Sequence, residues 1–419
     1  MSRLPTPRPW ALPLAALLWV VSPISARADE PAETRRVAAI VSVYHHNAHA
    51  DVIVSRLLKT HTLDGQGRVS PLKLASIYID QFPESDIGRA LMAEHGVPVC
   101  ATVQEALELG TGALAVDGIL LVAEHGTYPT SDTGQVIYPK RRLFDEIAAV
   151  VERGGRGVPL FCDKHLADNW TDAKHLFDTA ARLRMPLMAG SSLPVTYRRP
   201  PADVARGAKL KEIVAVSYHT LDAYGFHAVE AVQTLAERRA GGETGIAAVQ
   251  CLRGDAVWQA GEQGVYNAEL LAAAIARLEI PPRGELKDVV PDPILFVIDH
   301  ADGLRANILT LNGGVQEWTA AWRYEDGTSD STLFYVQEAR PFTHFSLLLT
   351  GLEQMMLTGE PAWPAERTLL TSGTLDALLV SQRDGGGRLE TPYLNVVYET
   401  ICDWRQPPPA PPDRPIEGQ

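Results

Sequence analysis

Between residues 37 and 195, short β-rich runs alternate regularly with segments whose apolar residues recur at helical spacing. The first pair is a strand pattern at 37–44 followed by a helical pattern at 48–60. Repeated strand–helix units predict a parallel sheet with helices on both faces. We therefore expect a Rossmann-like, doubly wound α/β domain of the nucleotide-binding type at residues 34–195. The predicted strands lie at 37–44, 74–80, 97–101, 116–122, 158–162 and 185–189.

After residue 205 the pattern changes to longer β-rich runs separated by turn sequences. The sequences LNGG at 311–314 and EDGT at 325–328 are typical of tight turns that join antiparallel strands. We therefore expect an α+β domain with a mostly antiparallel sheet at residues 205–400. Its predicted strands lie near 212–218, 294–311, 315–324 and 331–338, and its predicted helices at 221–239, 342–358 and 364–383.

The two ends of the chain differ in composition from these domains. Near the N-terminus, two Arg precede an apolar run at 10–24 that is too short for a comfortable membrane span, and Ala26-Arg27-Ala28 provides a small-residue cleavage site. We interpret residues 1–28 as a secretory signal peptide, which predicts a periplasmic or secreted protein with no membrane span after signal removal. Residues 405–419 are rich in Pro and are predicted to form a disordered tail.

The formal net charge of −13 limits the partners that this chain can bind. An acidic protein is repelled by nucleic acid phosphates and by anionic membrane surfaces. The charge therefore makes nucleic acid and anionic membrane surfaces poor expected partners.

Imidazole and carboxylate side chains follow several predicted strands at the points where the strands end. Because the carboxyl ends of parallel strands meet at one crevice, we expect these side chains to lie close together. Imidazole and carboxylate groups are suitable ligands for Zn²⁺ or a similar divalent metal. The predicted metal ligands are His45, His46, His49, Glu124 and His125.

The turn after the first strand contains three of these His residues and no glycine. It reads Tyr44-His45-His46-Asn47-Ala48-His49, whereas a dinucleotide-binding turn is built from glycine so that the backbone can approach a pyrophosphate. Two other interpretations of the His cluster stay open beside the metal. The cluster could serve acid–base chemistry or substrate binding, or it could be structural, with Asn47 as the helix N-cap.

Four segments of the sequence show a resemblance to a known family. They are "VDGILLVAEHG", "VPLFCDKHLADNWTDAKHLFDTAARLRMPLMAGSSLP", "YGFHAVEAVQTL" and "PAERTLLTSGTLDALLVSQRDGGGRLETP". Together with the order of predicted elements, these segments resemble the Gfo/Idh/MocA family of sugar-directed, nicotinamide-dependent oxidoreductases over residues 37–400. The resemblance implies NAD(P) as cofactor, a carbohydrate or polyol as substrate, and a homo-oligomer whose interface is the antiparallel sheet.

The resemblance also implies roles for individual residues. Lys164 matches the family's substrate-binding Lys, and His227 matches its acid–base His. Asp163 and His165 flank that Lys, where the family has Glu-Lys-Pro, and complete the predicted catalytic set. Ala223 stands where the family has an Asp. The residues that would contact the cofactor are Tyr44, His45, His46, Asn47, Asp80 and Glu124, with Asp80 as the ribose-binding acid.

Three classes of function follow from these observations. The first is an oxidoreductase of the resembled family, in which Lys164 and His227 handle the proton of a sugar hydroxyl. The second is an exported carbohydrate lyase or hydrolase that uses the His-rich turn with a metal and without NAD. The third is a sugar-binding protein without turnover, because a fold does not determine a function.

Overall fold

The computed structural model describes Met1 and residues 34–413 except 64 and 66. The described residues from 34 to 413 form one compact unit. Apart from Met1, the predicted signal peptide at 1–28 lies outside the described residues, as do residues 414–419 of the predicted tail. None of the helices in the described part of the chain combines the length and apolar character that a membrane crossing requires.

The first sheet has six parallel strands in the order β3-β2-β1-β4-β5-β6, which confirms the predicted Rossmann-like domain. The order reverses between β1 and β4, so a crevice opens beyond the carboxyl ends of these two strands. The strands are β1 (Arg35–Val41), β2 (Leu72–Ile79), β3 (Val99–Cys100), β4 (Gly118–Val122), β5 (Leu160–Asp163) and β6 (Leu187–Gly190). The helices are α1 (His49–Leu58), α2 (Gly88–Glu94), α3 (Val103–Glu108), α4 (Lys140–Gly154) and α5 (Trp170–Arg182).

The second sheet has eight strands in the order β14-β9-β10-β11-β8-β12-β13-β7 and is mostly antiparallel, as predicted. Its strands are β7 (Tyr197–Arg199), β8 (Leu210–Ser217), β9 (Ile246–Arg253), β10 (Ile294–His300), β11 (Arg305–Thr310), β12 (Trp318–Tyr324), β13 (Ser329–Tyr335) and β14 (Leu389–Glu390). The helices of this half are α6 (Ala223–Ala236), α7 (Asp255–Glu262), α8 (Ala268–Ile275), α9 (Leu286–Val289), α10 (Thr343–Thr358) and α11 (Ala365–Arg383).

One predicted strand pairing in this sheet is wrong. The run predicted as one strand at 294–311 is the hairpin β10–β11, and the LNGG turn does not join neighbouring strands. Instead β8 lies between β11 and β12, parallel to the first and antiparallel to the second. The reason is burial: Ile213 and Ala215 pack on one face of the sheet while Val214 and Val216 pack on the other, so β8 is stable only as a central strand. The EDGT turn does join β12 and β13 as predicted.

Both faces of the second sheet are covered by helices of the same chain. Helices α6 and α11 pack on one face, and α7 and α8 pack on the other. On the second face, Tyr266 and Leu270 belong to one buried cluster with Val214, Leu295 and Val297 of the strands. The resemblance places a homo-oligomer interface on this sheet, but helices of the same chain already cover both of its faces. The homo-oligomer therefore stays a prediction.

Helix α10 returns from the second half of the chain to the first sheet. Leu348, Leu352, Met355 and Met356 of α10 are buried together with residues of β1 and β2. In addition, Arg56 of α1 donates to the carbonyl oxygen of Phe342, at 2.8 Å, just before α10. Along the chain the first sheet ends with β6 and the second begins with β7, but α10 packs against strands of the first sheet.

Truncation of this contact tests its contribution to stability. We expect Leu352→Ala to lower the free energy of unfolding by about 2–5 kcal/mol, because it leaves a cavity in a fully buried cluster. Leu357→Ala is the matched control on the same helix, since Leu357 is exposed and its truncation should cost less than about 0.5 kcal/mol. Urea unfolding of the two variants measures both values, and equal losses would contradict the described packing.

The C-terminal tail is held against the body of the protein as far as it is described. Trp404 Nε1 donates to the carbonyl oxygen of Thr196 at 2.9 Å, and Gln406 Oε1 accepts from the Arg198 backbone N–H at 3.1 Å. The side chain of Gln337 donates to Asp413 Oδ1 at 2.7 Å. These contacts differ from the disorder predicted for the tail.

Candidate active site

A buried cluster of charges lies beyond the carboxyl ends of β4 and β5. Lys140 Nζ donates to Glu124 Oε1 at 2.6 Å, and Lys164 Nζ lies 3.4 Å from Glu124 Oε2. Lys140 also donates to the backbone carbonyl oxygens of Asp163, at 2.9 Å, and His165, at 2.6 Å. Burial alone would raise the pKa of Glu124, but the two lysines hold that pKa well below its usual value. Glu124 is therefore a carboxylate that fixes both ammonium groups.

Next to this cluster, an imidazole is paired with a carboxylate. His49 is the first residue of α1 and Asp163 is the last residue of β5, and His49 Nδ1 lies 2.6 Å from Asp163 Oδ2. Asp163 is fully buried, whereas the side chain of His49 is 14% exposed. Among the described residues, the other ring nitrogen of His49 has no hydrogen-bond partner. A carboxylate on Nδ1 orients the ring and leaves Nε2 as the nitrogen that can accept a proton from a ligand.

Further imidazoles surround this pair. The ring of His125 lies 5.3 Å from the ring of His49 and 5.4 Å from the ring of His45, measured between centroids. Burial lowers the pKa of His125 to about 3, helped by the charges of His49 and Lys164. Burial and the charge of Lys140 likewise lower the pKa of His165 to about 3. Both rings are therefore neutral at physiological pH.

His227 lies on α6 at the edge of the same group of residues. Burial and then the positive charge of Lys164 hold the pKa of His227 well below its ordinary value. Its ring lies 5.9 Å from the ring of Trp318 and 6.1 Å from the ring of Tyr224. His227 is therefore held as a neutral imidazole, which has one nitrogen that donates a hydrogen bond and one that accepts.

Two residues of the group have an unusual backbone conformation. Lys164 has φ of 54° and His125 has φ of 66°, both in the left-handed region that side chains with a Cβ rarely adopt. The Lys164 N–H donates to the carbonyl oxygen of Gly190 at 3.1 Å, which fixes the turn after β5. Backbone strain of this kind costs about 1–3 kcal/mol per residue and is concentrated at functional sites.

The predicted site residues thus separate into three places. The central group surrounds the His49–Asp163 pair and the Lys164–Glu124 pair. Its members are His45, His49, Glu124, His125, Asp163, Lys164, His165 and His227. A second group, Tyr44, His46 and Asn47, lies at the start of α1 against Asp51 and Ser55. Asp80 lies in a third place, where Tyr78, Tyr128 and Arg142 donate to it.

The predicted metal ligands do not form a metal site in the described part of the chain. No three or more His, Cys, Asp or Glu residues among those described are arranged to hold an ion. Glu124 faces two lysines, and His46 lies 3.4 Å from the guanidinium of Arg340. Lysine and arginine nitrogens compete with a cation for these ligands. Metal binding therefore stays a prediction that the structure does not support.

Sequence reasoning missed three charged residues of this region, namely Lys140, Asp51 and Arg340. The sequence KRRLF at 140–144 has the pattern of a charged helix face, yet the Lys140 side chain is only 1% exposed. A signal was present: a cation in the first turn of a helix is opposed by the helix dipole, so Lys140 needed a compensating partner. For Arg340, at a distance of nearly 300 residues from the turn that it contacts, the sequence carries no such signal.

The residues of the first turn do not fit a dinucleotide. Tyr44 stands within the glycine-free turn with its side chain fully buried, and its hydroxyl is 2.7 Å from Ser55 Oγ. The backbone N–H of Asn47, which would face a pyrophosphate, donates to Asp51 Oδ2 at 2.8 Å. A backbone N–H just before α1 is thus already engaged by a carboxylate of this chain.

The acid predicted to bind a ribose is also engaged. Asp80 Oδ1 accepts from the hydroxyl of Tyr78 at 2.8 Å and from Arg142 at 2.5 Å, and Oδ2 accepts from the hydroxyl of Tyr128 at 2.9 Å. Burial alone would raise the pKa of Asp80, but these three donors lower it. A ribose hydroxyl would compete with these three donors for the same two oxygens.

No protein-family model and no curated protein matches this sequence. Solved structures do match. GenD2 from gentamicin A biosynthesis, in complex with NAD, is 16% identical, with 86% of this chain and 97% of that chain covered at a TM-score of 0.56. A putative myo-inositol dehydrogenase from Sinorhizobium meliloti is 13% identical, with 85% and 99% covered at a TM-score of 0.52. The myo-inositol dehydrogenase from Lactobacillus casei, in complex with NAD(H) and myo-inositol, is 12% identical, with 85% and 96% covered at a TM-score of 0.51.

At these identities the likeness is one of fold. It extends over both sheets, because nearly the whole of each matched chain is covered. The two-domain fold that the resemblance to the Gfo/Idh/MocA family implied is therefore confirmed. The activity must be argued from the residues of the site.

Proposed function

We propose that this protein is an enzyme that transfers protons to and from a carbohydrate or polyol bound beyond the carboxyl ends of β1, β4 and β5. The observation that carries the proposal is the pair formed by His49 and Asp163, at 2.6 Å, beside the fixed ammonium of Lys164. The substrate class is supported by the fold neighbours, which include a myo-inositol dehydrogenase in complex with myo-inositol.

In this proposal, each residue has a role that follows from its charge and position. His49 Nε2 is the base that takes a proton from the substrate, and Asp163 stabilises the imidazolium that forms. Lys164 is held by Glu124 and stabilises negative charge that develops on a substrate oxygen. His227, kept neutral by burial at the edge of the site, is a second imidazole that can hydrogen-bond the substrate.

The site favours proton abstraction over glycoside hydrolysis by two carboxylates. Such hydrolysis needs one carboxylic acid and one carboxylate that both face the scissile bond. Here Glu124 is bound by Lys140 and Lys164, and Asp163 is bound by His49. We therefore propose that the enzyme abstracts a proton from a carbon next to a carbonyl or carboxyl group, while Lys164 stabilises the enolate oxygen that forms. The His49 imidazolium then returns the proton to carbon or, in an elimination, gives it to the leaving group on the neighbouring carbon. The N-terminal sequence supports an enzyme that works outside the cytoplasm after export.

Solvent exchange tests proton abstraction even when the product is unidentified. The chain from residue 29, purified without added cofactor, is incubated in D₂O with keto-sugars, aldonates and inosose-type ketones. We expect at least one substrate to lose the NMR signal of a single C–H group, and His49→Gln to abolish that exchange. His175→Gln is the matched control, because His175 forms a similar pair with Asp145, at 2.7 Å, on the protein surface. Exchange that is unaffected by His49→Gln would contradict the assigned base.

A dehydrogenase is the second candidate, and the fold neighbours solved with NAD favour it. It would share Lys164 and His227 with the first proposal but would need a bound nicotinamide. The residues of the first turn and Asp80 do not offer the contacts that such a cofactor requires.

A further inference from the structure

The start of α1 contains an ion pair that joins two distant parts of the chain. Asp51 lies in the first turn of α1, and Arg340 lies in the segment between β13 and α10. A guanidinium nitrogen of Arg340 donates to Asp51 Oδ2, and Arg340 Nε donates to Asn47 Oδ1 at 3.0 Å. The side chain of Asp51 is 3% exposed and that of Arg340 is 12% exposed.

Both oxygens of Asp51 are used by donors of the turn. Oδ2 accepts from the backbone N–H of Asn47 at 2.8 Å, and Oδ1 accepts from Ser55 Oγ at 2.7 Å. The first N–H groups of a helix and a nearby arginine are the usual donors to a bound phosphate. In this protein the backbone N–H of Asn47, just before α1, and the guanidinium of Arg340 are both directed at one internal carboxylate.

The segment that supplies Arg340 is itself fixed. Arg56, fully buried in α1, donates to the carbonyl oxygens of His61, at 3.0 Å, and Phe342, at 2.8 Å, and also to that of Pro341. The chain on both sides of the ion pair is thus tied to α1. An external anion would have to displace Asp51 from contacts that the rest of the fold maintains.

We propose that Asp51 is an internal anion that replaces the cofactor phosphate at the start of α1, and that the protein consequently binds no nicotinamide dinucleotide. Asp80, the acid predicted to bind the ribose of a dinucleotide, supports the same conclusion. Its carboxylate oxygens already accept hydrogen bonds from Tyr78, Tyr128 and Arg142. This inference does not depend on the proposed function, because proton abstraction by His49 can be observed or not observed whether or not the protein binds a dinucleotide.

Calorimetric titration and thermal unfolding test the proposal. The wild-type chain from residue 29 is titrated with NAD⁺, NADP⁺, ADP-ribose and inorganic pyrophosphate. We expect neither binding heat nor a rise in Tm for any of them, since a ligand that binds the native state must raise Tm. Asp51→Asn removes the internal charge and leaves Arg340 and the Asn47 N–H as donors. That variant should bind pyrophosphate about tenfold or more tightly than the wild type, the gain expected from a freed arginine at a helix start.

Asp172→Asn is the matched control. Asp172 is also an acid in the first turn of a helix, α5, and also accepts from an arginine, Arg141, at 2.6 Å. It should not gain pyrophosphate binding. If Asp51→Asn does not fold, Asp51→Ser takes its place, because a hydroxyl can still accept from the Asn47 N–H.

Each result decides one part of the proposal. Saturable binding of NAD⁺ or NADP⁺ to the wild type would overturn the exclusion of the dinucleotide. A folded Asp51 variant with no gain in pyrophosphate binding, or a gain matched by Asp172→Asn, would overturn the role of Asp51 as an internal anion. A gain in pyrophosphate binding seen only in the Asp51 variant, together with no binding of any of the four ligands by the wild type, would support both parts.

Discussion

Replacement of Lys140 by Met is expected to lower the free energy of unfolding by about 3–5 kcal/mol, because it leaves the buried Glu124 without its closest cation. The Lys140 side chain is 1% exposed and that of Glu124 is 2% exposed, so water cannot compensate the loss. The substitution also removes the donor to the carbonyl oxygens of Asp163 and His165. Met keeps most of the volume of the lysine stem, which limits the contribution from a cavity.

Urea unfolding measures this loss, and Lys174→Met provides the matched control. Lys174 pairs with Asp178 four residues later on the same helix, with both side chains about half exposed. An exposed pair of this kind contributes about 0.3–0.5 kcal/mol, so the control should lose no more than that. Comparable losses in the two variants would show that the charges around Glu124 are solvated, and the described cluster would then be incorrect.

The sequence predicted the place of the central group because one rule was sufficient. The strand–helix alternation identifies a parallel sheet, and the carboxyl ends of such strands converge. Glu124, Asp163 and Lys164 are each within two residues of a strand end, so their proximity follows from the alternation alone. The hydrogen-bond and ion-pair partners within the central group did not follow from the strand–helix alternation. His49 pairs with Asp163 because the side-chain directions decide the contact, and a pattern of residue types does not contain those directions.

Other features depend on contacts over a long sequence separation. Arg340 reaches Asn47 and Asp51 from the segment between β13 and α10, nearly 300 residues later in the chain. Strand β8 enters the middle of the second sheet between strands that lie almost 100 residues later in the chain. Hydrophobic periodicity identifies a strand, but it does not determine which other strands that strand pairs with. Residues 255–289 form α7, α8 and α9, three short helices that the sequence pattern did not predict and that cover a face of the second sheet.

Replacement of Asp163 by Asn is expected to lower the rate of substrate C–H exchange by about 10²–10⁴-fold, with the fold retained. The amide can donate to His49 Nδ1 as well as accept from it, so the ring no longer has one fixed tautomer. Asn also carries no charge to stabilise the imidazolium that forms when His49 takes a proton. The loss should therefore appear in the rate at saturating substrate and leave KM nearly unchanged, because Asp163 is fully buried behind His49 and does not reach the ligand.

Asp145→Asn distinguishes this role from a general effect of removing a carboxylate beside a histidine. Asp145 Oδ1 lies 2.7 Å from His175 Nε2 in a partly exposed pair between α4 and α5. We expect this control to keep the wild-type exchange rate, while Asp163→Asn loses exchange without a large change in the urea midpoint. If Asp163→Asn instead kept the rate, His49 would not be oriented by Asp163 for proton transfer. If it lost rate and raised KM together, the carboxylate would be holding the shape of the binding site rather than the base. A selective loss of rate has only one source in this geometry, the imidazole that the carboxylate orients.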